Sequence, residues 1–247
     1  MPLHENAGLD KAGGLWQSQA VNQPAAADPP GAPRAWSAEL ALRVRRYMFL
    51  KTGGICVFIW VFFIIYFHVL QHPIRPVTIM PLTPLDDLIS FQPLALIPYL
   101  SLWFYLGVGP GLLLKFRELI AYGLWAAGLC GVGLACFYLW PSAVPPLGFD
   151  VSGYPGFATL QGVDAAGNAC PSLHVATAIF TAIRVAHTLR ALQTPWCFQV
   201  INIGWFLAIA YSTLATKQHV VIDAFAGAML GTLFAIASLS RGFKSSR

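Results

Sequence analysis

The sequence predicts an all-α, polytopic membrane protein, a bundle of six transmembrane helices, and three observations carry that prediction. Hydrophobic residues fill 57% of the 247 positions and charged residues only 10%, with a positive mean hydropathy, which no ordinary soluble domain matches. Six apolar runs approach the roughly 20 residues that a helix rising about 1.5 Å per residue needs to cross a hydrocarbon core about 30 Å thick. The basic residues, finally, are concentrated on one of the two sides that six crossings define.

Residues 1–36 are rich in Ala, Pro, Gly and Gln and read as a disordered cytoplasmic tail. Residues 37–247 form one membrane domain. Its first segment, 35–51, carries Arg43, Arg45, Arg46 and Lys51 beside Leu40, Leu42, Val44, Met48 and Leu50; it is either a basic flank that sets topology or a helix lying on the surface. The six spans are 52–70, 91–114, 119–140, 172–192, 198–214 and 219–239. The fourth is the least apolar, because Arg184, His187 and Arg190 occupy its second half, and a charge at the bilayer centre costs several kcal/mol. Arg184 is expected to snorkel to the near interface.

Of the 15 lysines and arginines, only Arg75 and Lys217 fall on the side opposite the termini. The positive-inside rule then places both termini in the cytoplasm and the remaining loops outside, as in a bacterial inner membrane with its outer loops facing the periplasm. The first outer loop, 71–90, carries His72, Arg75, Asp86 and Asp87. The second, 141–170, is rich in Gly and Pro and reads as a rim over a site or as a connector. No internal repeat is visible, which speaks against a transporter built from duplicated halves. Cys56, Cys130, Cys136, Cys170 and Cys197 suggest packing and no disulfide, and no zinc spacing or glycine-rich nucleotide loop is present. His68 and His72 stand at i and i+4, as half a metal site or as interfacial histidines.

Two stretches on the outer side carry chemistry. Residues 216–223 read Thr-Lys-Gln-His-Val-Val-Ile-Asp and residues 170–174 read Cys-Pro-Ser-Leu-His, each at the entrance to a span. His219 and Asp223 are four residues apart, one helical turn. An aspartate inside a membrane helix needs a partner. If Asp223 accepts from one ring nitrogen of His219, the other is left bare and nucleophilic. Helix starts favour anions, Lys217 offers a charge to phosphate oxygens, Ser172 a donor, and His174 a proton for a leaving oxygen. Gly227 and Gly231 continue the stripe from Asp223, for close helix contact or for sideways entry of a lipid tail.

The segments Pro171-Ser172-Leu173-His174 and Ser212, then His219 and Asp223, resemble the second and third signature motifs of the type 2 phosphatidic acid phosphatase superfamily: Pro-Ser-Gly-His, and Ser-Arg, five residues, His, three residues, Asp. The resemblance extends from about the first span to the C-terminus. It implies that His219 attacks phosphorus and becomes a phosphohistidine, that Asp223 supports it, that His174 is the acid, and that Ser172 and Ser212 belong to the phosphate pocket. It implies no metal and no other cofactor. Leu173 departs from the motif glycine and Thr213 from the arginine, and the basic first motif is missing at 138–146, while Arg75-Pro76 lies two spans too early. Lys217 is expected to supply the missing charge. Leu173, the phrase Thr-Lys-Gln-His, and Asp86 with Phe91 and Pro93 resemble the inositol phosphorylceramide synthase-like branch.

The expected function is therefore an integral-membrane lipid phosphatase, a metal-independent phosphoric ester hydrolase acting on a lipid phosphomonoester or diphosphate. The alternatives are a phosphotransferase that uses an alcohol acceptor and a non-catalytic lipid-phosphate binding or transport protein. The expected partners are the lipid phosphate substrate and membrane lipids, not nucleic acid; the sequence leaves the oligomeric state open.

Overall fold

A computed structural model describes residues 35–148, 153–154, 156–157 and 167–244, the last four as backbone only. Of the expected tail 1–36, residues 1–34 lie outside the described residues and Trp36 already belongs to the first helix; the described residues from Trp36 on form one compact unit. In chain order the elements are α1 (Trp36–Arg45), α2 (Met48–Gln71), β1 (Thr78–Ile79), α3 (Pro84–Leu88), a 3-10 turn (Pro93–Ala95), α4 (Leu96–Leu100), α5 (Leu102–Gly111), α6 (Phe116–Leu139), β2 (Ser142–Ala143), α7 (Leu173–Ala191), α8 (Trp196–Ala215) and α9 (Val221–Lys244).

Among the described residues, five helical segments are long and apolar enough to cross a membrane: Met48–Gln71, Pro93–Gly111, Phe116–Leu139, Trp196–Ala215 and Val221–Ser240. The fourth expected span forms as helix α7 but is not among them. Its position gives the reason. It packs against α5, α6, α8 and α9, and Ala176, Ala178, Phe180, Thr181, Val185 and Leu189 are all buried. A helix enclosed by protein along most of its length need not match lipid on every face, so it accommodates Thr181 and Arg184. Arg184 is held within the fold: its guanidinium lies over the Tyr122 ring, 5.7 Å from the centroid, and donates to Ser238 Oγ at 3.4 Å.

The second expected span is not one uniform helix. It starts as a 3-10 turn, bends at Ser101 between α4 and α5, and carries Pro110 inside its last turn. Pro98 can donate no backbone hydrogen bond; Ser101 Oγ donates to its carbonyl at 2.7 Å and accepts from Trp205 Nε1 at 2.9 Å, which pins the bend to α8.

The segment before the first span does form a helix, α1. Arg43 pairs with Glu39 at 3.1 Å and donates to the Leu112 carbonyl at 3.2 Å, while Leu40 packs against Leu112 and Leu189. Tyr47, in the left-handed region at φ 59°, turns the chain from α1 into α2. At the opposite end, β1 and β2 pair in parallel with Thr78 beside Ser142, joining the loop after α2 to the loop after α6. The described part of the second loop is built into the fold: Ser142 bridges to Asn168, and Phe157 is buried against Leu96 and Tyr99. Its other residues, 149–152, 155 and 158–166, lie outside the described ones. The cysteines are free, and the His72 ring donates to the His68 carbonyl at 2.9 Å.

Candidate active site

The stretch 216–223 is two structures in succession. Helix α8 ends with the Lys217 N–H on the Leu214 carbonyl and the Gln218 N–H on the Thr213 carbonyl, both at 3.1 Å, the paired pattern of a Schellman cap. Lys217 holds the left-handed position, at φ 57°, where glycine is usual, and a side chain there costs about 1 kcal/mol. Its ammonium is bound elsewhere: it donates to the carbonyls of Asp86, at 3.0 Å, and Ile89. Lys217 therefore ties the turn to the loop between α2 and α4 and does not line the cavity on which the histidines stand.

Helix α9 then begins at Val221, so His219 lies just before the helix and Asp223 in its first turn. The His219 ring donates from Nδ1 to Asp223 Oδ2 at 3.0 Å, with the two side chains 5% and 0% exposed. The proton on Nδ1 leaves Nε2 with the lone pair. The second Asp223 oxygen accepts from the Ala224 N–H at 3.1 Å, which fixes the carboxylate.

Asp86 closes the start of the same helix, a role that sequence reasoning missed. Its Oδ1 accepts from the Val221 N–H at 2.8 Å, and its Oδ2 accepts from the Thr83 N–H at 2.8 Å and the Thr83 hydroxyl at 2.7 Å. The anion at the start of α9 is thus a carboxylate of the protein, supplied from 135 residues away, and no phosphate is needed to satisfy it. Thr83-Pro84 followed by Asp86 is visible in the sequence as a helix-start signal, but it announces α3, not the long-range contact with α9.

Burial by itself pushes the Asp86 carboxyl up, but the Thr83 and Val221 hydrogen bonds and the Lys217 charge outweigh it and hold the pKa below the ordinary carboxylate value. A depressed folded pKa contributes stability that is present above the unfolded value, near 3.9, and lost as pH falls through the folded one. Detergent-solubilised protein is therefore expected to melt progressively lower below about pH 4. Asp86→Asn is expected to melt lower at pH 7, through weaker charge-assisted bonds worth about 1.5–3 kcal/mol, and to lose that acid dependence. Parallel melting curves for the two proteins from pH 7 to pH 3 would contradict the clamp.

The second stretch supplies the facing half. Ser172 caps α7, its Oγ accepting from the Val175 N–H at 3.3 Å. Its own N–H donates to the Asp223 carbonyl at 2.9 Å, a direct stitch between the two stretches. His174, one residue into α7, stacks on Tyr99 at 4.5 Å, meets Trp103 edge-on at 6.5 Å, and stands 5.6 Å from His219 between ring centroids. Leu173, in the position of the motif glycine, is buried against Gly133 of α6, where an added Cβ would lie 2.4 Å from Leu173 Cδ2. A small residue on α6 thus leaves room for the leucine.

The structure brings together His219, Asp223, His174 and Ser172. Ser212 is fully buried in the adjoining end of α8, where its hydroxyl donates to the Ile209 carbonyl at 2.6 Å. Thr213, at the motif arginine, is buried too, and its carbonyl accepts from both Gln218 and His219. Gly227 and Gly231 serve helix contact: an added Cβ would lie 2.2 Å from the Ser172 carbonyl oxygen and 2.1 Å from that of Ala176. They seat α9 on α7, which leaves no passage for a lipid tail along that seam.

Both histidines line one end of an apolar cavity of about 900 Å³. Tyr66, Tyr99 and Asn168 stand at the same end, and the Asn168 amide donates to the Tyr66 hydroxyl. These three are further candidate site residues that no motif announced.

Comparison with known families places residues 141–247 in match with the PAP2 superfamily. That segment holds all six residues singled out from the sequence. No curated protein and no solved structure matches the chain.

Proposed function

We propose that the chain is a PAP2-superfamily enzyme, a six-pass integral membrane lipid phosphatase that cleaves a lipid phosphomonoester or diphosphate through phospho-His219. The observation that carries this reading is the buried His219–Asp223 pair with His174 beside it, at one end of an apolar cavity. A phosphate ester with a hydrocarbon tail is the ligand whose two halves fit those surroundings.

In the first step His219 Nε2 attacks phosphorus, the bond from phosphorus to the lipid oxygen breaks, and its electron pair goes to that oxygen, which takes a proton from His174. Asp223 stabilises the positive charge that grows on the His219 ring. In the second step water attacks the phosphohistidine, His174 takes a proton from it, and inorganic phosphate leaves. No step calls on a metal. The start of α7 lies beside the histidines, and its dipole favours the phosphate there. Ser172 and Ser212 enter this reading by shaping the backbone around that position. Lys217 adds positive charge on the same outer side while it holds the Asp86 loop in place. The basic-residue distribution supports a bacterial inner-membrane arrangement with cytoplasmic termini and the site facing outward, with α7 as the enclosed sixth crossing.

Discharge of the same intermediate to an alcohol would make the protein a phosphotransferase. The stretches around Leu173 and Thr216 support that reading through their likeness to the inositol phosphorylceramide synthase-like branch. Purified protein given phosphatidic acid and an isoprenoid diphosphate is expected to release inorganic phosphate. A labelled headgroup that moves to an added alcohol, without phosphate release, would favour the transferase. Neither product from any lipid phosphate, with the protein still binding them, would leave the non-catalytic reading.

A further inference from the structure

The reaction described above uses only one end of the cavity. From the histidines it continues between α2, α5, α6 and α7, and both Tyr66 and Leu50 of α2 line it, which at the helical rise makes it about 24 Å long. Its walls include Phe58, Phe62, Trp103 and Phe180. A hollow of this size is at the upper end of ligand pockets.

The far end is polar. Lys51 lines it and is only 5% exposed. Its ammonium donates to the carbonyl of Arg43 at 2.6 Å and to that of Gly111 at 2.8 Å. A residue that looks like a topology signal in the sequence thus joins α1, α2 and the end of α5 into a floor.

Resting on the reading of His219 as the nucleophile, we propose that this cavity houses the hydrocarbon tail of the substrate inside the protein, with the phosphate at His219 and the chain end toward Lys51. The substrate class is then a long-chain lipid phosphate whose tail length is measured against the Lys51 floor. The bilayer is as apolar as the cavity, so enclosure adds little affinity. Its effect is positional: the tail fixes the direction of the phosphorus–oxygen bond at His219. A chain too long for the cavity must displace the ammonium from its carbonyls or leave the protein.

The test uses a long-chain alkyl phosphate with a photoactivatable diazirine at the chain terminus, added to the full-length protein in membranes. The expected crosslinks fall on the buried Lys51, Pro110 and Tyr122 at the inner end, with the exposed Val57 and Trp60 of α2 at background. Label on Val57 or Trp60 in place of the inner end would place the tail in the bilayer and overturn the proposal. Gly54 and Gly123 line the inner half, and an added Cβ meets nothing within 4 Å at either, so phenylalanine at these positions fills space without a clash at its root. Gly54→Phe and Gly123→Phe are expected to lower the inner-end crosslink at least about fivefold and long-chain turnover at least about tenfold, leaving a short-chain soluble phosphate within about twofold, the spread between loss and retention of a well-filled pocket. Unchanged crosslinking and long-chain turnover in both variants would also overturn it. The two readings separate in His219→Ala: an intact inner-end crosslink with undiminished phosphate release would sink the reaction and keep the tail site, whereas abolished release in a protein labelled only on its lipid face would do the reverse.

Discussion

His219→Ala is expected to abolish phosphate release from lipid phosphates, by at least about 10³-fold in kcat, because removal of a nucleophile stops the step that its base and donors merely assist. Asp223→Asn should be gentler, by about 10²- to 10⁴-fold, since an amide can hold the ring but no longer supports the imidazolium or enforces the tautomer. The geometry dictates this order. Asp223 is fully buried, 3.0 Å from Nδ1, with its other oxygen on the Ala224 N–H; it acts on the substrate only through the ring. Acid-quenched protein given a phosphorus-labelled lipid should carry acid-labile label in the wild type and none in His219→Ala. Equal release by wild type and His219→Ala at every concentration would remove the phosphohistidine from the mechanism.

Gly227→Ala and Gly231→Ala are expected to destabilise the protein more than any other single methyl additions. At both positions the new Cβ would lie within about 2.2 Å of a backbone carbonyl oxygen of α7 or of its cap, Ser172. A backbone atom cannot rotate away as a side chain can, so α9 must lift off α7. Overpacking of this kind costs about 1–3 kcal/mol, with the upper end expected for a rigid neighbour. At Gly227 the displacement also stretches the Ser172 N–H to Asp223 carbonyl bond, so activity should fall further than the melting temperature alone explains. Gly53→Ala and Gly131→Ala provide the opposite sign: nothing lies within 4 Å of a Cβ at either, and alanine in a helix is favoured by about 0.5–1 kcal/mol. Thermal melts of the four variants in one detergent test the pattern, and four equal shifts would contradict the α7–α9 seat.

The membrane class, the helical segments and the two stretches at 170–174 and 216–223 were all legible in the sequence. They depend on local properties: apolar run length, helical spacing, and the concentration of titratable residues at the entrances to spans. The cap at Thr216–Gln218 was less legible, because a lysine occupies the position where glycine would have announced it.

The sequence by itself determined that this is a helical membrane protein and which histidines and carboxylate stand at its helix starts, since period and hydropathy are written residue by residue. Only the tertiary structure decided that α7 is enclosed, that Asp86 rather than a phosphate closes α9, that Lys217 is held by the Asp86–Ile89 segment, and that Lys51 floors a cavity ending at His219. Each of these depends on at least one contact between residues 54 or more positions apart. A buried carboxylate or ammonium must find partners somewhere in the fold, but which segment provides them is set by how the helices pack, and no local pattern records that choice.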